Sequence, residues 1–288
     1  MMRPMTRAIP WPFPATEPMT SKLFTSALFA GLLAGLIAVL LQFFLMEPLV
    51  LEGEEYESGA KVHFGGVVVG HDHASHDHGA PSATDEAVPS ATEEAAQAHV
   101  MGDGHTHAQA AGEGGNAARF AKAFFADFVT WVGYGLVMVA GFALAEMLGQ
   151  RITTQAGLLW GIAGFVAFQL MPGLGLSPEL PGIPAADLHA RQIWWLGCAI
   201  STVLAMVAFG YGRSPVFIAV GVGLLILPHL IGAPRLDEFL GAAPPGLAAE
   251  FVTHSMVVSM AAWTALGVLA GYFWQKQSKA EHCIKVFS

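Results

Sequence analysis

The sequence predicts an all-α membrane protein, a polytopic bundle of about six (or five) transmembrane helices with a long disordered His-rich outer loop. Of its 288 residues, 54% are hydrophobic and only 12% are charged, which is about half the charged fraction of an ordinary soluble domain. The apolar residues come in blocks of roughly 17 to 25, the length that crosses a bilayer as a helix. Seven of the 12 histidines fall outside these blocks, between positions 71 and 107.

The N-terminal part of the chain is predicted to be an extension followed by one helix. Residues 1–21 are Pro-rich and predict a disordered N-terminal extension, with Met19 as a second candidate start. Residues 22–48 predict the first transmembrane helix, because Leu23–Met46 contain no charged residue over 24 positions. That run is longer than a signal-peptide core of about 7 to 15 residues, so we expect it to stay in the membrane.

A long loop separates this helix from the rest of the bundle. Residues 49–120 predict a disordered, acidic, His-rich periplasmic loop, because so few apolar residues cannot offset the entropy cost of ordering. Residues 121–276 predict a bundle of about five further transmembrane helices, and 277–288 predict a cytoplasmic tail. The five apolar blocks of this bundle are about Phe124–Leu148, Gly157–Met171, Ile193–Tyr211, Val216–Ile231 and Phe251–Trp274.

Lys and Arg residues in the short loops predict the orientation. Six spans place both termini on one side. With the N-terminus inside, the inner segments hold eight Lys or Arg residues, against two in the short outer loops. We therefore expect cytoplasmic termini and a long loop that faces the periplasm. The inner residues are Arg3, Arg7, Lys22, Arg151, Arg213, Lys276, Lys279 and Lys285, and the outer ones are Arg191 and Arg235.

Charge and motif content argue against several classes of function. Residues 47–113 hold 13 acidic groups and one Lys or Arg residue, Lys61. No stripe of Lys and Arg occurs elsewhere to neutralise phosphates, so we expect no nucleic acid as partner. The expected partner is the lipid bilayer. The sequence contains no HExxH, GxSxG or GxxxxGK[ST] motif, so we expect neither an enzyme nor an organic cofactor. Cys198 and Cys283 form no CxxC pair, which gives redox chemistry no support.

The outer loop carries the strongest metal-binding pattern. Neutral imidazole is a good ligand for borderline divalent metals, and HxH spacing on a flexible strand lets alternate residues wrap one ion. The alternative is a solvated low-complexity loop whose histidines bind nothing. We predict metal binding with poor selectivity between metals. The predicted ligands are His71, His73, His76, His78, His105 and His107.

A second candidate site lies at the outer mouth of the bundle. Glu250 and His254 stand at i and i+4, one helical turn apart on one face. His229 follows Pro228 at the outer end of its span, and Glu47 ends the first span. Together they predict a site of metal uptake, although each alone is also typical of an interfacial residue bonded to a loop carbonyl. Polar side chains within spans usually face the bundle interior or a water path, which adds Gln42 and Gln169 as transport-path candidates.

Other patterns predict packing. Gly31 with Gly35, Gly157 with Gly161, and Gly267 with Gly271 have the small-xxx-small spacing that lets helices approach closely. Asp187 and Arg191, which stand at the same i,i+4 spacing as Glu250 and His254, are expected to pair with each other. Glu146, near the inner end of the second span, either faces the interior or reaches the inner headgroups beside Arg151.

Six strings of residues occur in a specific order along the chain: EPLVLE at 47–52, GLLWG at 157–161, FQL at 168–170, PELPG at 178–182, ARQIWW at 190–195 and LPHLIGAP at 227–234. With these strings the chain resembles the CbtA family from about Met19 to Trp274. The resemblance implies a subunit of an inner-membrane divalent-metal transporter, with cobalt (Co2+) as the expected substrate and Ni2+ or Zn2+ as alternatives. It also implies a small single-span companion, a CbtB-like subunit, and five spans where we count six.

Two functions from different classes follow from these patterns. In the first, the bundle conducts the metal after the outer loop has collected it. In the second, the protein is a membrane-tethered metal-binding or sensing protein that does not itself conduct ions. Polar side chains that continue past the middle of the membrane distinguish the first function from the second, and the sequence offers few of them.

Overall fold

A computed structural model describes residues 19–63, 116–237 and 241–287, and every regular element in that part of the chain is helical. This confirms the all-α class. The predicted loop histidines lie outside the described residues. The elements are α1 (Met19–Leu45), α2 (Glu47–Glu57), α3 (Asn116–Met147), α4 (Thr154–Phe165) with a π-helical turn (Val166–Leu170), α5 (Met171–Gly173), α6 (Leu188–Tyr211), α7 (Pro215–Ile231) and α8 (Pro245–Phe287).

Five helices in the described ranges are long and apolar enough to cross a membrane, which agrees with the lower of the two predicted counts. The sixth apolar helix, α7, has 17 residues and falls below that length. At 1.5 Å per residue it spans about 25 Å, against a hydrocarbon core of about 30 Å. The five candidate spans are Thr20–Leu45, Phe124–Met147, Thr154–Gly173, Leu188–Tyr211 and Pro245–Lys279.

The short helix α7 nevertheless returns the chain across the bundle. It packs against α6 in antiparallel fashion, because the ring of His229 near its end lies 5.8 Å from the ring of Trp194 near the start of α6. One to two turns further along, Ser201 Oγ of α6 donates a hydrogen bond to the carbonyl of Leu224 at 2.5 Å. In the described ranges the helices therefore alternate in direction over six passes of the bundle, and five of these are long enough by themselves to cross a membrane.

Glycines bring the helices into backbone contact, as their spacing predicts. A Cβ atom on Gly161 of α4 would lie 2.5 Å from the carbonyl oxygen of Trp263 in α8, and one on Gly31 of α1 would lie 2.6 Å from the Cα atom of Val132 in α3. Gly157 faces Gly267 and Gly271 in the same way. Larger residues would force the helices apart, so these positions set how closely α1, α3, α4 and α8 pack.

Several helices extend past the boundaries predicted from sequence, and tertiary contacts explain the clearest case. Residues 49–57, predicted to belong to the disordered loop, form most of α2, whose Leu49 and Val50 are buried in an apolar cluster with Leu180 and Phe251. Burial of these side chains at the end of the bundle offsets the entropy cost that the composition alone suggested. Elsewhere the helices are longer than predicted: α1 begins at 19, α3 at 116 and α8 at 245, and α8 continues to 287 through the predicted tail.

Candidate functional site

Polar side chains of the described bundle gather at its two ends. The antiparallel order brings the end of α1, α2, the start of α6, the end of α7 and the start of α8 to one end, which we call the His254 end. The start of α1, the end of α3, the start of α4 and the later part of α8 meet at the opposite end, which we call the Lys22 end. The same two helices, α1 and α8, are joined by hydrogen bonds at both ends.

At the His254 end, the break between α1 and α2 exposes a backbone carbonyl. Pro48 has no N–H group, and the N–H of Leu49 donates to the carbonyl of Met46 at 3.0 Å, so α1 ends at Leu45. The orphan carbonyl of Leu45 is contacted by His254 of α8, whose Nδ1 lies 3.0 Å from the oxygen. The helix break therefore supplies the partner that orients this imidazole.

This hydrogen bond fixes the tautomer of His254. A carbonyl oxygen only accepts, so Nδ1 must carry the proton. In the neutral ring Nε2 then keeps its lone pair, which is the form that binds a metal ion. Metal-ligating histidines in proteins commonly donate their other ring N–H to a carbonyl or carboxylate, which holds the ring in place. The contact with Leu45 thus orients the ring of His254 and leaves the lone pair of Nε2 in the neutral ring uninvolved in this hydrogen bond.

Three other predicted residues lie near this point. Gln42 is in the last turn of α1 and Glu47 is the first residue of α2, three residues before and two residues after Leu45. Glu250 lies one turn before His254 on α8 and is exposed. The structure does not close them into a finished metal site, because the described residues contain no group of three or more His, Cys, Asp or Glu side chains that could hold a metal ion.

The remaining predicted residues of the bundle lie on other elements. His229 is at the end of α7 against Trp194, and its Nε2 is buried without a hydrogen-bond partner. Gln169 lies in the π-helical turn that interrupts the third span. Such turns often occur at functional sites. Neither residue is brought to the ring of His254 by a contact that the structure shows.

The Asp187–Arg191 pairing predicted from the i,i+4 spacing is wrong. Asp187 instead caps α6, where its carboxylate accepts a hydrogen bond from the N–H of Ala190 at 2.8 Å, because a helix start leaves unpaired N–H groups that an Asp can satisfy. Arg191 pairs with Glu179 of the preceding loop at 2.8 Å. Burial raises the pKa of the Glu179 carboxyl above its ordinary value, and Arg191 opposes that rise.

The Lys22 end holds a polar cluster that sequence reasoning missed. The ammonium group of Lys22 lies 2.7 Å from Ser278 Oγ, 3.6 Å from a carboxylate oxygen of Glu146 and 4.1 Å from the ring centre of Trp274. Trp274 Nε1 donates to the other oxygen of Glu146 at 2.7 Å. Glu146 thus faces the interior, where it contacts Lys22 and Trp274. From the sequence, Lys22 was used only as one of the basic residues that predict the orientation in the membrane.

Between the two ends the interior is filled by aromatic rings. Trp263 of α8 stacks on Phe168 at 5.4 Å between ring centres and lies 4.7 Å from Tyr134 and 5.9 Å from Trp131. In the described part of the chain the buried polar or charged residues are Lys22, Ser26 and Thr202, two of them in the cluster at the Lys22 end. The hydroxyl of the third, Thr202, donates to the carbonyl of Cys198 within α6.

Comparison with known families gives one match. A family described as "Probable cobalt transporter subunit (CbtA)" matches residues 20–275, which cover nearly all of the residues that the structure describes. No curated protein and no solved structure matches the chain.

Proposed function

Because the chain belongs to the CbtA family, we propose that it is the multi-pass subunit of a bacterial inner-membrane transporter whose substrate is Co2+, with Ni2+ and Zn2+ as competing ions. The family description and the five candidate spans support a membrane-embedded transporter subunit. The word subunit implies a partner, and we propose a small single-span companion of the CbtB type. The ion is cargo rather than a resident cofactor.

The distribution of basic residues supports the proposed orientation. Four basic residues belong to the Lys22 end or to the short loops that lead to it: Lys22, Arg151, Arg213 and Lys276. Arg191 stands at the opposite end. Basic residues accumulate in cytoplasmic loops, so in this proposal the Lys22 end faces the cytoplasm and the His254 end faces the periplasm.

The hydrogen bond between His254 and Leu45 carries the proposal for metal uptake. It leaves Nε2 of His254 with a lone pair that a metal ion could use. Glu250 is exposed one turn earlier on α8, and Glu47 begins α2 two residues after Leu45. Imidazole nitrogen with carboxylate oxygen suits Co2+, Ni2+ and Zn2+. The histidines of the outer loop would collect ions, and His254 with its neighbours would receive them. Gln42, Gln169 and His229 remain proposed contacts further along.

One observation favours the second function, that of a membrane-tethered metal-binding protein. The aromatic rings of Trp131, Tyr134, Phe168 and Trp263 fill the middle of the bundle, so conduction requires either a second conformation or a path shared with the companion. A tethered binder requires neither.

Uptake of radiolabelled cobalt by vesicles that carry the chain, with and without its companion, distinguishes the two functions. The transporter proposal expects cobalt to accumulate inside sealed vesicles and to be released when an ionophore opens them. Metal that binds to the same extent in sealed and in opened vesicles would show that the protein holds ions at the surface, and we would then adopt the tethered function.

A further inference from the structure

Lys22 is buried where a lysine could reach water. It stands four residues into α1, at a helix end, and Lys side chains in such positions usually extend to the membrane surface. Here the side chain turns inward and only 7% of its surface is exposed. Its ammonium group is held between Glu146 of α3 and Ser278 of α8, over the face of Trp274. An isolated charge in this place would be costly, so these partners hold it there.

The contacts around Lys22 tie three helices together. Gln277 of α8 donates a hydrogen bond to Ser26 of α1 at 3.0 Å, one turn from Lys22. Trp274 links α8 to Glu146 at the end of α3. We call Lys22, Ser26, Glu146, Trp274, Gln277 and Ser278 the latch. With it closed, the interior has no opening at Ser26, whose exposed surface is 0%.

The latch has the composition of a cation site that is already filled. The groups that contact its occupant, a tethered ammonium ion, are the carboxylate of Glu146 and the hydroxyl oxygen of Ser278. A divalent cation that arrived from within the bundle would attract the Glu146 carboxylate more strongly than Lys22 does and would repel the ammonium directly, because both effects scale with charge in a medium of low dielectric constant. The flexible lysine stem could then carry the ammonium out to water.

We propose that the latch is the cytoplasmic gate and that the metal cargo opens it by displacing Lys22 from Glu146. This inference rests on the proposed transport function and adds to it a contact with the ion at the opposite end of the bundle, Glu146. The structure represents the closed state of this gate. Opening separates α1 from α8 at the Lys22 end, while the contact between His254 and Leu45 holds the same two helices together at the other end.

Cysteine labelling of the full chain in vesicles tests the gate. Ser26→Cys places a thiol of similar size inside the latch, Cys283 is replaced by Ser, and Cys198 is kept as an internal control because it is fully buried on α6. A water-soluble maleimide is presented at the Lys22 end, and modification of each cysteine is followed by mass spectrometry. We expect Co2+ to raise the labelling rate of Ser26→Cys several-fold, Mg2+ to have a much smaller effect, and Cys198 to stay unlabelled.

A second variant checks the role of the carboxylate. Glu146→Gln removes the charge that holds Lys22, so Ser26→Cys should be labelled rapidly without Co2+ and should gain nothing when Co2+ is added. Slow labelling in that background, or labelling of the otherwise unchanged chain that does not respond to Co2+ while the same vesicles take up cobalt, would overturn the gate. Labelling that responds to Co2+ in vesicles that take up none would leave the gate standing and overturn the transport function.

Discussion

One hydrogen bond of the α6–α7 hairpin satisfies a carbonyl that a proline leaves without its helical partner. Pro228 lies inside α7 and has no N–H group, so the carbonyl of Leu224, four residues earlier, loses its usual helical partner. Ser201 of α6 supplies the replacement, with its hydroxyl 2.5 Å from that carbonyl. We predict that Ser201→Ala destabilises the protein, because Pro228 has no N–H group with which to replace the lost bond.

The expected size of the loss follows from what becomes unpaired. Hydrogen bonds between membrane helices contribute about 0.6 kcal/mol on average, whereas a buried acceptor left without a partner costs about 1–3 kcal/mol. Because Pro228 has no N–H group to pair with the Leu224 carbonyl, we expect Ser201→Ala to lower the free energy of unfolding by about 1–2 kcal/mol. In a Pro228→Ala background the new N–H can reach Leu224, so the same Ser201→Ala change should then cost well under 1 kcal/mol.

Reversible denaturation of the four proteins in detergent, followed by circular dichroism, measures the coupling between the two positions. Thr130→Ala is a matched control, since the Thr130 hydroxyl bonds a carbonyl of its own helix at 2.9 Å that also keeps its helical N–H partner, and it should be nearly neutral. Equal losses from Ser201→Ala in both backgrounds, or no loss in either, would refute the reasoning.

Three further predictions concern packing, pH and the outer loop. Gly161→Ala should lower the melting temperature because its Cβ meets backbone, whereas Gly197→Ala, whose Cβ meets nothing within 4 Å, should not; equal effects would contradict the close α4–α8 packing. A raised folded-state pKa means that Glu179 contributes stability at low pH that is lost as the pH rises through that pKa. Wild type should therefore lose thermal stability relative to Glu179→Gln as the pH rises above the ordinary Glu pKa of about 4.3, and an unchanged difference would contradict the assigned shift. Calorimetry on a peptide of residues 60–115 should show one to three divalent ions bound at about micromolar affinity, fading below a pH of about 6.5. Affinity that survives replacement of His71, His73, His76 and His78 by Ala would remove the loop from the mechanism.

The features that the sequence predicted well are those set by neighbouring residues. An uncharged run as long as Leu23–Met46 has few alternatives to a membrane helix, and α1 covers it as far as Leu45. Likewise, a glycine pair such as Gly157 and Gly161 marks one helix face wherever the partner lies, and the structure places α8 on that face. In both cases the spacing of neighbouring residues was enough to predict the feature, because it does not depend on which distant residues pack there.

The features that the sequence missed depend on residues far apart in the chain. Lys22 and Ser278 are separated by 256 positions, so no local pattern shows that they meet. Leu49 and Val50 by themselves offer too little apolar surface to order a loop. They are buried because they pack with Leu180 and Phe251, which are distant in sequence. Asp187 is different, because Asp is a favoured N-cap residue and this signal is present in the sequence. The i,i+4 spacing to Arg191 instead suggested that the two side chains pair.

Maximal cobalt uptake by the His254→Ala variant tests the central claim most directly. With enough cobalt to saturate collection by the outer loop, loss of the oriented imidazole should still lower maximal uptake well below that of wild type, because the loop cannot replace a ligand within the bundle. Asp187→Asn keeps a helix-capping side chain and should transport like wild type in the same vesicles. Maximal uptake by His254→Ala equal to that of wild type, from protein that is folded and present in equal amount, would contradict the assignment of His254 to the metal path.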